Sequence, residues 1–302
     1  MALYLLGVIT VGQVVDVVVS GLATGFGYAV LLVGILLVYQ VSRVVNFSFG
    51  EYGGVAALVT YYLTAQHGVE IVLAIVVGLA VGALLAAVTE VGLIRPLGEV
   101  KGSGRDFLVT LGVLLLLTAG AQAAFGVNPQ SFPPLGENNT VAVGGIPIDV
   151  GQLAVIGVGL VVSIAIYLVL IRSDLGLRFR AVSIRPDVSV SVGLNVRRLR
   201  VLVWAISGVL AGAGGMIFAS QLSVDPFYMT NLIILVFVAG MVGGLDSYWL
   251  PVGCALGLGV LEAVVEYLLG ANSGTPAVFV AVILILAILP GRAVGEREVE
   301  AA

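Results

Sequence analysis

Asn46, Ser48 and Glu51 lie within one short run, RVVNFSFGEY (residues 43–52), between two long apolar stretches. An amide, a hydroxyl and a carboxylate together offer hydrogen-bond donors and acceptors. A carboxylate in apolar surroundings is costly unless it faces water, a partner or a pore. Gly50, Gly53 and Gly54 surround the run, and irregular backbone at membrane depth is tolerated where protein or a cavity covers it. The run fits a short break or re-entrant corner beside a solute path. It fits an ordinary interfacial loop equally well. Thr24 and Tyr28, on the stretch before it, and Glu262, near the end of a later apolar stretch, are lesser candidates for the same path. An interfacial position accounts for Glu262 as well as a pore position does.

A second constellation is basic. Seven of the twelve arginines fall between residues 172 and 200: Arg172, Arg178, Arg180, Arg185, Arg197, Arg198 and Arg200. Only Asp174 and Asp187 oppose them there, so seven positive charges less two leave about five net. The middle, residues 181–192, is of mixed polarity and predicts a short helix along a membrane surface, ended by Gly193. From charge alone three readings stand: a loop held on the cytoplasmic side, a site for anionic lipid headgroups, or a dock for a soluble partner.

Several chemistries find no support. The sequence has no G-x-x-x-x-G-K-[ST] phosphate loop. The single histidine (His67) and the single cysteine (Cys254) build no ligand cluster of metal-binding spacing. No Ser, His and Asp are disposed as a nucleophilic triad, and no filter-like array of an ion channel is evident. A net charge of −4 gives no reason to expect nucleic acid.

The elements that must carry these residues are membrane spans. Of 302 residues, 60% are hydrophobic and 10% charged. A soluble domain typically carries about 25% charged residues, so this chain lacks the polar surface that a soluble fold of its size needs. The expected architecture is all-α, a polytopic membrane protein of eight to nine transmembrane helices with one or two short or re-entrant segments. Apolar stretches at 13–39, 52–66, 71–89, 107–125, 150–171, 201–220, 231–245, 248–267 and 275–289 supply the candidates. Those at 52–66 and 231–245 are short for a core of roughly 30 Å. Gly21, Gly25 and Gly27, then Gly34, on the first stretch have the spacing that lets helices approach closely. Residues 126–149 hold four prolines, no Lys or Arg, and a possible hairpin near 141–148; Asn138-Asn139-Thr140 within them fits the glycosylation sequon. By the positive-inside rule, residues 93–106 and 172–200 face the cytoplasm and residues 126–149 face outward. The chain reads as one domain, residues 1–302.

Five stretches, in order, resemble the LivH-type permease of branched-chain amino acid ABC importers. They are GLATGFGYAVLLVGILLVYQ (21–40), VVNFSFGEY (44–52, similar to the family's INFAHGE), IRPL (94–97), GLRFRAVSIRPDVSVSVGLN (176–195) and VGGLDSYWLPVGCALGLGVLEAV (242–264). Phe49 stands where the family often has His, and Asp246 replaces a glycine. The resemblance implies a permease and not an enzyme, in the plasma membrane of a bacterium or archaeon. It would be half of a translocation path, paired with a LivM-like second permease or a second copy of itself. Two ABC ATPase subunits would bind ATP and Mg, this chain would hold no cofactor, and an extracellular solute-binding protein would deliver the solute. The 172–200 segment then becomes the ATPase-coupling loop, with Arg178, Arg180, Arg185 and Asp187 as contacts and Gly193 and Asn195 shaping its exit. Asn46, Ser48 and Glu51 become the translocation path, with Thr24, Tyr28 and Glu262 behind them. The solute class stays open between branched-chain amino acids and urea or short amides. An ion-coupled secondary transporter, using Glu51 and Asn46 as buried ligands, is the alternative from another class.

Overall fold

Small residues, not large ones, decide where these helices meet. In the helix Ile71–Thr89 the buried positions are Ala74, Gly78, Gly82, Ala86 and Thr89, while Val72, Val76, Leu84 and Val88 stand exposed. That inverts a soluble helix. In lipid there is no hydrophobic drive to bury Val or Leu, and close backbone approach supplies the attraction instead.

The computed structural model describes residues 11–97, 105–133, 140–143, 146–270 and 273–288. Helices α1 (Val11–Ser42) and α2 (Phe49–Ala65) flank the polar run. Next, α3 (Ile71–Thr89) continues through a π-helical turn, Glu90–Ile94, into the short α4 (Arg95–Leu97), and α5 is Arg105–Phe125. A hairpin of β1 (Thr140–Val143) and β2 (Ile146–Asp149) is antiparallel, with Thr140 opposite Asp149 and Val143 opposite Ile146. The remaining helices are α6 (Val150–Arg172), α7 (Asp174–Ile184), α8 (Pro186–Ser191), α9 (Val196–Gln221), α10 (Tyr228–Gly243), α11 (Trp249–Leu269) and α12 (Gly274–Ile288). The expected hairpin is present. The sequon residues Asn138 and Asn139 lie outside the described residues.

The chain forms two compact units, one of Met1–Ala29, Pro134–Leu160 and Val238–Ala302, the other of Val30–Pro133 and Val161–Phe237. In the second, α2, α3 and α9 pack on one another. A β-carbon on Gly82 would strike the Gly208 carbonyl, and one on Gly208 would strike that of Gly82, so α3 and α9 touch backbone to backbone. In the first, α11 packs on α12, and the start of α1 lies on α11: a β-carbon on Gly25 would come within 2.8 Å of the Leu256 Cα, and one on Gly21 within 2.7 Å of the Val260 Cα. The glycine spacing read on the first stretch does bring helices together at Gly21 and Gly25.

Two expectations need correction. Among the described residues six helices, not eight or nine, are long and apolar enough to cross a membrane: Gly12–Ser42, Ile71–Ile94, Arg105–Phe125, Val150–Arg172, Val196–Gln221 and Trp249–Leu269. Helices α2 and α10 have 17 and 16 residues. At about 1.5 Å per residue they reach roughly 24–26 Å, short of a core of roughly 30 Å. Helix α12 is described as far as Ile288. The physical cause is where the chain breaks: the polar run cuts α2 from α1, and the turn at Gly244 (φ +81°) ends α10. The third helix also runs past the apolar stretch 71–89, because the π turn carries it on to Leu97.

The basic segment is helical over more of its length than its mixed middle suggests. Ser173 caps α7, its Oγ accepting the Gly176 N–H at 3.2 Å. Arg185 leaves helical geometry at φ −142°, ψ 83°, and Pro186 opens α8 at its first position, where a missing N–H costs nothing. Gly193, at φ +85°, ends the short helix as expected.

Candidate functional site

The polar run is a true break in the helices. Ser42 ends α1, and its hydroxyl accepts the Trp204 indole N–H at 3.0 Å, pinning the helix end to α9. Arg43 follows at φ +55°, a left-handed conformation costly for a side-chain-bearing residue; its guanidinium lies 5.5 Å from the Tyr39 ring centre. Phe47 stacks on Phe237 at 4.9 Å and meets the edge of Phe107 at 5.0 Å. These contacts hold the chain in a turn whose first residue, Arg43, has a disfavoured backbone conformation.

Inside that turn Asn46 and Ser48 are buried, and Glu51 is 2% exposed on the first turn of α2. The Asn46 Oδ1 accepts the Ser48 N–H at 3.1 Å and the Ser48 hydroxyl at 2.6 Å, an Asx turn that redirects the chain into α2. Ser48 Oγ and Tyr52 OH share a hydrogen bond of 2.7 Å. Glu51 Oε1 accepts the Thr230 hydroxyl of α10 at 2.9 Å, and Thr118 of α5 stands alongside. Asn46 Nδ2 is buried beside Tyr52 and meets no hydrogen-bond geometry among the described residues. The expected trio is therefore brought together on one turn, as a linked set of donors and acceptors.

The lesser candidates form a separate cluster, in the other unit. Tyr28 of α1 donates to Glu262 Oε2 at 2.7 Å, and Thr275 of α12 donates to Glu262 Oε1 at 2.7 Å. Both carboxylate oxygens are satisfied, and three helices are tied at one residue. Thr24 is half-buried one turn before Tyr28.

On the basic segment Arg178, Arg180 and Arg185 are exposed, as are Gly193 and Asn195. Among them Leu177, Ile184, Val188 and Val192 present large apolar side chains to the outside. Phe179 and Val182 point the other way and are buried. Asn195 caps α9, its Oδ1 accepting the Arg198 N–H at 3.0 Å. Arg200 is different from the rest of the set: it is partly buried and paired with Glu90.

Sequence reasoning missed Thr230, Thr275 and Tyr52. Tyr52 had a signal, four residues after Ser48 on the same helical face. Thr230 and Thr275 had none, since each belongs to another helix whose packing brings it in.

Residues 17–289 match the family model described as "Branched-chain amino acid transport system / permease component". The chain is 27% identical over 304 residues to the high-affinity branched-chain amino acid transport system permease protein BraD of Pseudomonas aeruginosa, covering 93% of this chain and 96% of that one. It is 26% identical over 263 residues to the probable branched-chain amino acid transport permease protein LivH of Methanocaldococcus jannaschii, covering 81% and 79%. It is 28% identical over 247 residues to the nucleoside ABC transporter permease protein NupC of Lactococcus lactis, covering 74% and 75%.

Proposed function

The chain belongs to the branched-chain amino acid transport permease family, and from that premise we propose that it forms half of the translocation path of an ATP-driven importer for branched-chain or related amino acids. It is a multi-pass membrane protein and a permease component, not an enzyme. ATP and Mg act on two ABC ATPase subunits docked at the cytoplasmic segment 172–200. A LivM-like permease or a second copy supplies the other half of the path, and an extracellular binding protein delivers the solute. The whole of residues 1–302 acts as one permease domain, with residues 126–149 outward.

Asn46, Ser48 and Glu51 line the path. Their donors and acceptors suit a zwitterion, and the Asn46 Nδ2, which meets no hydrogen-bond geometry among the described residues, leaves a donor for it. Thr24, Tyr28 and Glu262 contribute less, because Tyr28 and Glu262 are already bonded to each other. A broader solute class has one observation in its favour: the family likeness extends to a relative named for nucleoside transport. Urea or short amides have no better support.

The observation that carries the coupling role is the surface of α7 and α8. Arg178, Arg180 and Arg185 alternate there with exposed apolar side chains. A free cytoplasmic loop gains nothing from exposing Leu177 and Ile184, whereas an apolar patch rimmed by charge is the form of a protein contact. Asp187, Gly193 and Asn195 complete the docking segment. The test is a pull-down of the tagged chain from its native membrane in mild detergent, beside the variant Arg180→Glu/Arg185→Glu. An ATPase subunit should copurify with the native chain and be lost from the variant. Its absence from the native chain under several gentle conditions would overturn the reading and favour ion-gradient-driven uptake.

A further inference from the structure

We propose that Glu90 and Arg200 are positioning residues for energy coupling: their ion pair carries motion of the basic segment into the packed helices α2, α3 and α9. The inference rests on the ATPase-docking reading of residues 172–200.

The two side chains meet where α3 ends and α9 begins. Arg200 Nε lies 3.1 Å from Glu90 Oε1, and Arg200 Nη2 donates to Glu90 Oε2 at 3.4 Å. The Glu90 side chain is 1% exposed and that of Arg200 15%, so water screens the pair poorly. A second tie lies beside it, with Arg95 Nη2 donating to the Arg197 carbonyl at 3.3 Å.

The π turn explains why both ties reach the same helix. The Arg95 N–H bonds to the Glu90 carbonyl, so the two residues that grip α9 are the two ends of one i→i+5 turn. In a regular α-helix residues five apart point about 140° apart. The wider π turn brings them toward one face. Such turns occur often at functional sites, and this one serves a defined purpose: it aims Glu90 and Arg95 together at the first turns of α9.

The tie is continuous with the rest of the packing. Along the antiparallel pair, Gly78 faces Met216, Gly82 faces Gly208, Glu90 faces Arg200, and Arg95 faces Arg197. At Gly82 and Gly208, α3 and α9 meet backbone to backbone. At the far end, α7 and α8 pack on α9, and α9 starts directly after the docking segment at the Asn195 cap. A push on α7 must turn the start of α9. Close packing transmits such a shift rather than absorbing it, and the Glu90–Arg200 ion pair sits in the first turns of α9, next to the input.

The experiment uses the whole transporter, purified with its ATPase subunits and binding protein, in vesicles of phosphatidylethanolamine and phosphatidylglycerol. ATP hydrolysis and uptake of radiolabelled leucine are read in the same vesicles. Glu90→Gln and Arg200→Gln should leave the ATPase subunits bound but lower leucine taken up per ATP hydrolysed by about tenfold, the scale of a coupling free energy between sites. The exchange Glu90→Arg/Arg200→Glu should recover much of that ratio, which assigns the loss to the pair, while a merely structural role would leave the ratio of the assembled single variants unmoved. Glu90→Asp keeps the charge and shortens the reach, so it guards against neutral variants that fail to assemble; its ratio must fall too. An unaltered ratio in an assembled variant, or a loss that the exchange leaves in place, overturns the link while the docking reading stands. If no ATPase subunit accompanies the unaltered chain, both fall.

Discussion

Glu262 and Glu51 are both buried carboxylates on apolar helices, but the chain treats them differently. Glu262 accepts a hydroxyl at each oxygen, from Tyr28 and from Thr275, and so joins α1, α11 and α12. Glu51 accepts from Thr230 next to a strained turn in which the Asn46 Nδ2 meets no hydrogen-bond geometry among the described residues. A buried polar group left unsatisfied is expensive, and a fully satisfied network rigidifies its surroundings. The first cluster has the form of a pin. The second retains hydrogen-bonding capacity beside a chain break, as the proposed solute path requires.

The sharpest way to break that contrast is uptake. Glu51→Ala should lower uptake of the transported solute by about a hundredfold, the scale set by a lost charged hydrogen bond of roughly 1.5–3 kcal/mol in a step that every cycle repeats. Glu262→Ala, at equal amounts of assembled complex, should stay within about threefold of the unaltered chain. Transport measured in proteoliposomes decides it. Equal losses in the two variants would merge the clusters into one path, and a silent Glu51 would remove the polar run from it.

Stability should rank the two carboxylates the other way. Glu262→Ala strands the Tyr28 and Thr275 hydroxyls in an apolar site, at about 1–3 kcal/mol for an unsatisfied buried group. Its unfolding temperature in detergent should therefore drop clearly, whereas Glu51→Gln, which keeps an acceptor for Thr230, should lower it less. If Glu51→Gln proves the more damaging, the polar run is structural glue and its role in transport loses its main support.

The sequence made part of this readable, for physical reasons. The break after Ser42 showed because polar residues interrupt an otherwise uniform apolar stretch, and Gly21 and Gly25 showed because helix spacing follows directly from residue number. The resemblance in five ordered motifs anticipated the family. What failed to show depends on the third dimension. Tyr28 and Glu262 are 234 positions apart and Glu90 and Arg200 110 apart, and only antiparallel packing makes them neighbours. The π turn was hidden because a change of helical period leaves no trace where nearly every side chain is apolar. Span counting failed where the chain breaks: the stretches that form α2 and α10 read as crossings, but the helices are shorter than the six long ones. Composition could not tell a short span from a re-entrant one.

The smallest expected effect is the most discriminating within the pin. Tyr28→Phe removes one hydroxyl and leaves the ring, so it takes away the bond to Glu262 Oε2 without opening a cavity. Glu262 would still hold Thr275 through its other oxygen, so the carboxylate would not be abandoned. The loss should be about 1.5 kcal/mol, the low end for a hydrogen bond to a charged group, and uptake should change by less than about twofold. Combining it with Thr275→Val tests the network directly. Two independent bonds would give additive losses, whereas a cooperative three-helix pin would give more than the sum, because only the double variant leaves Glu262 buried with neither hydroxyl. Additivity would mean that α1 and α12 are each fastened to α11 separately, and that Glu262 merely happens to serve both.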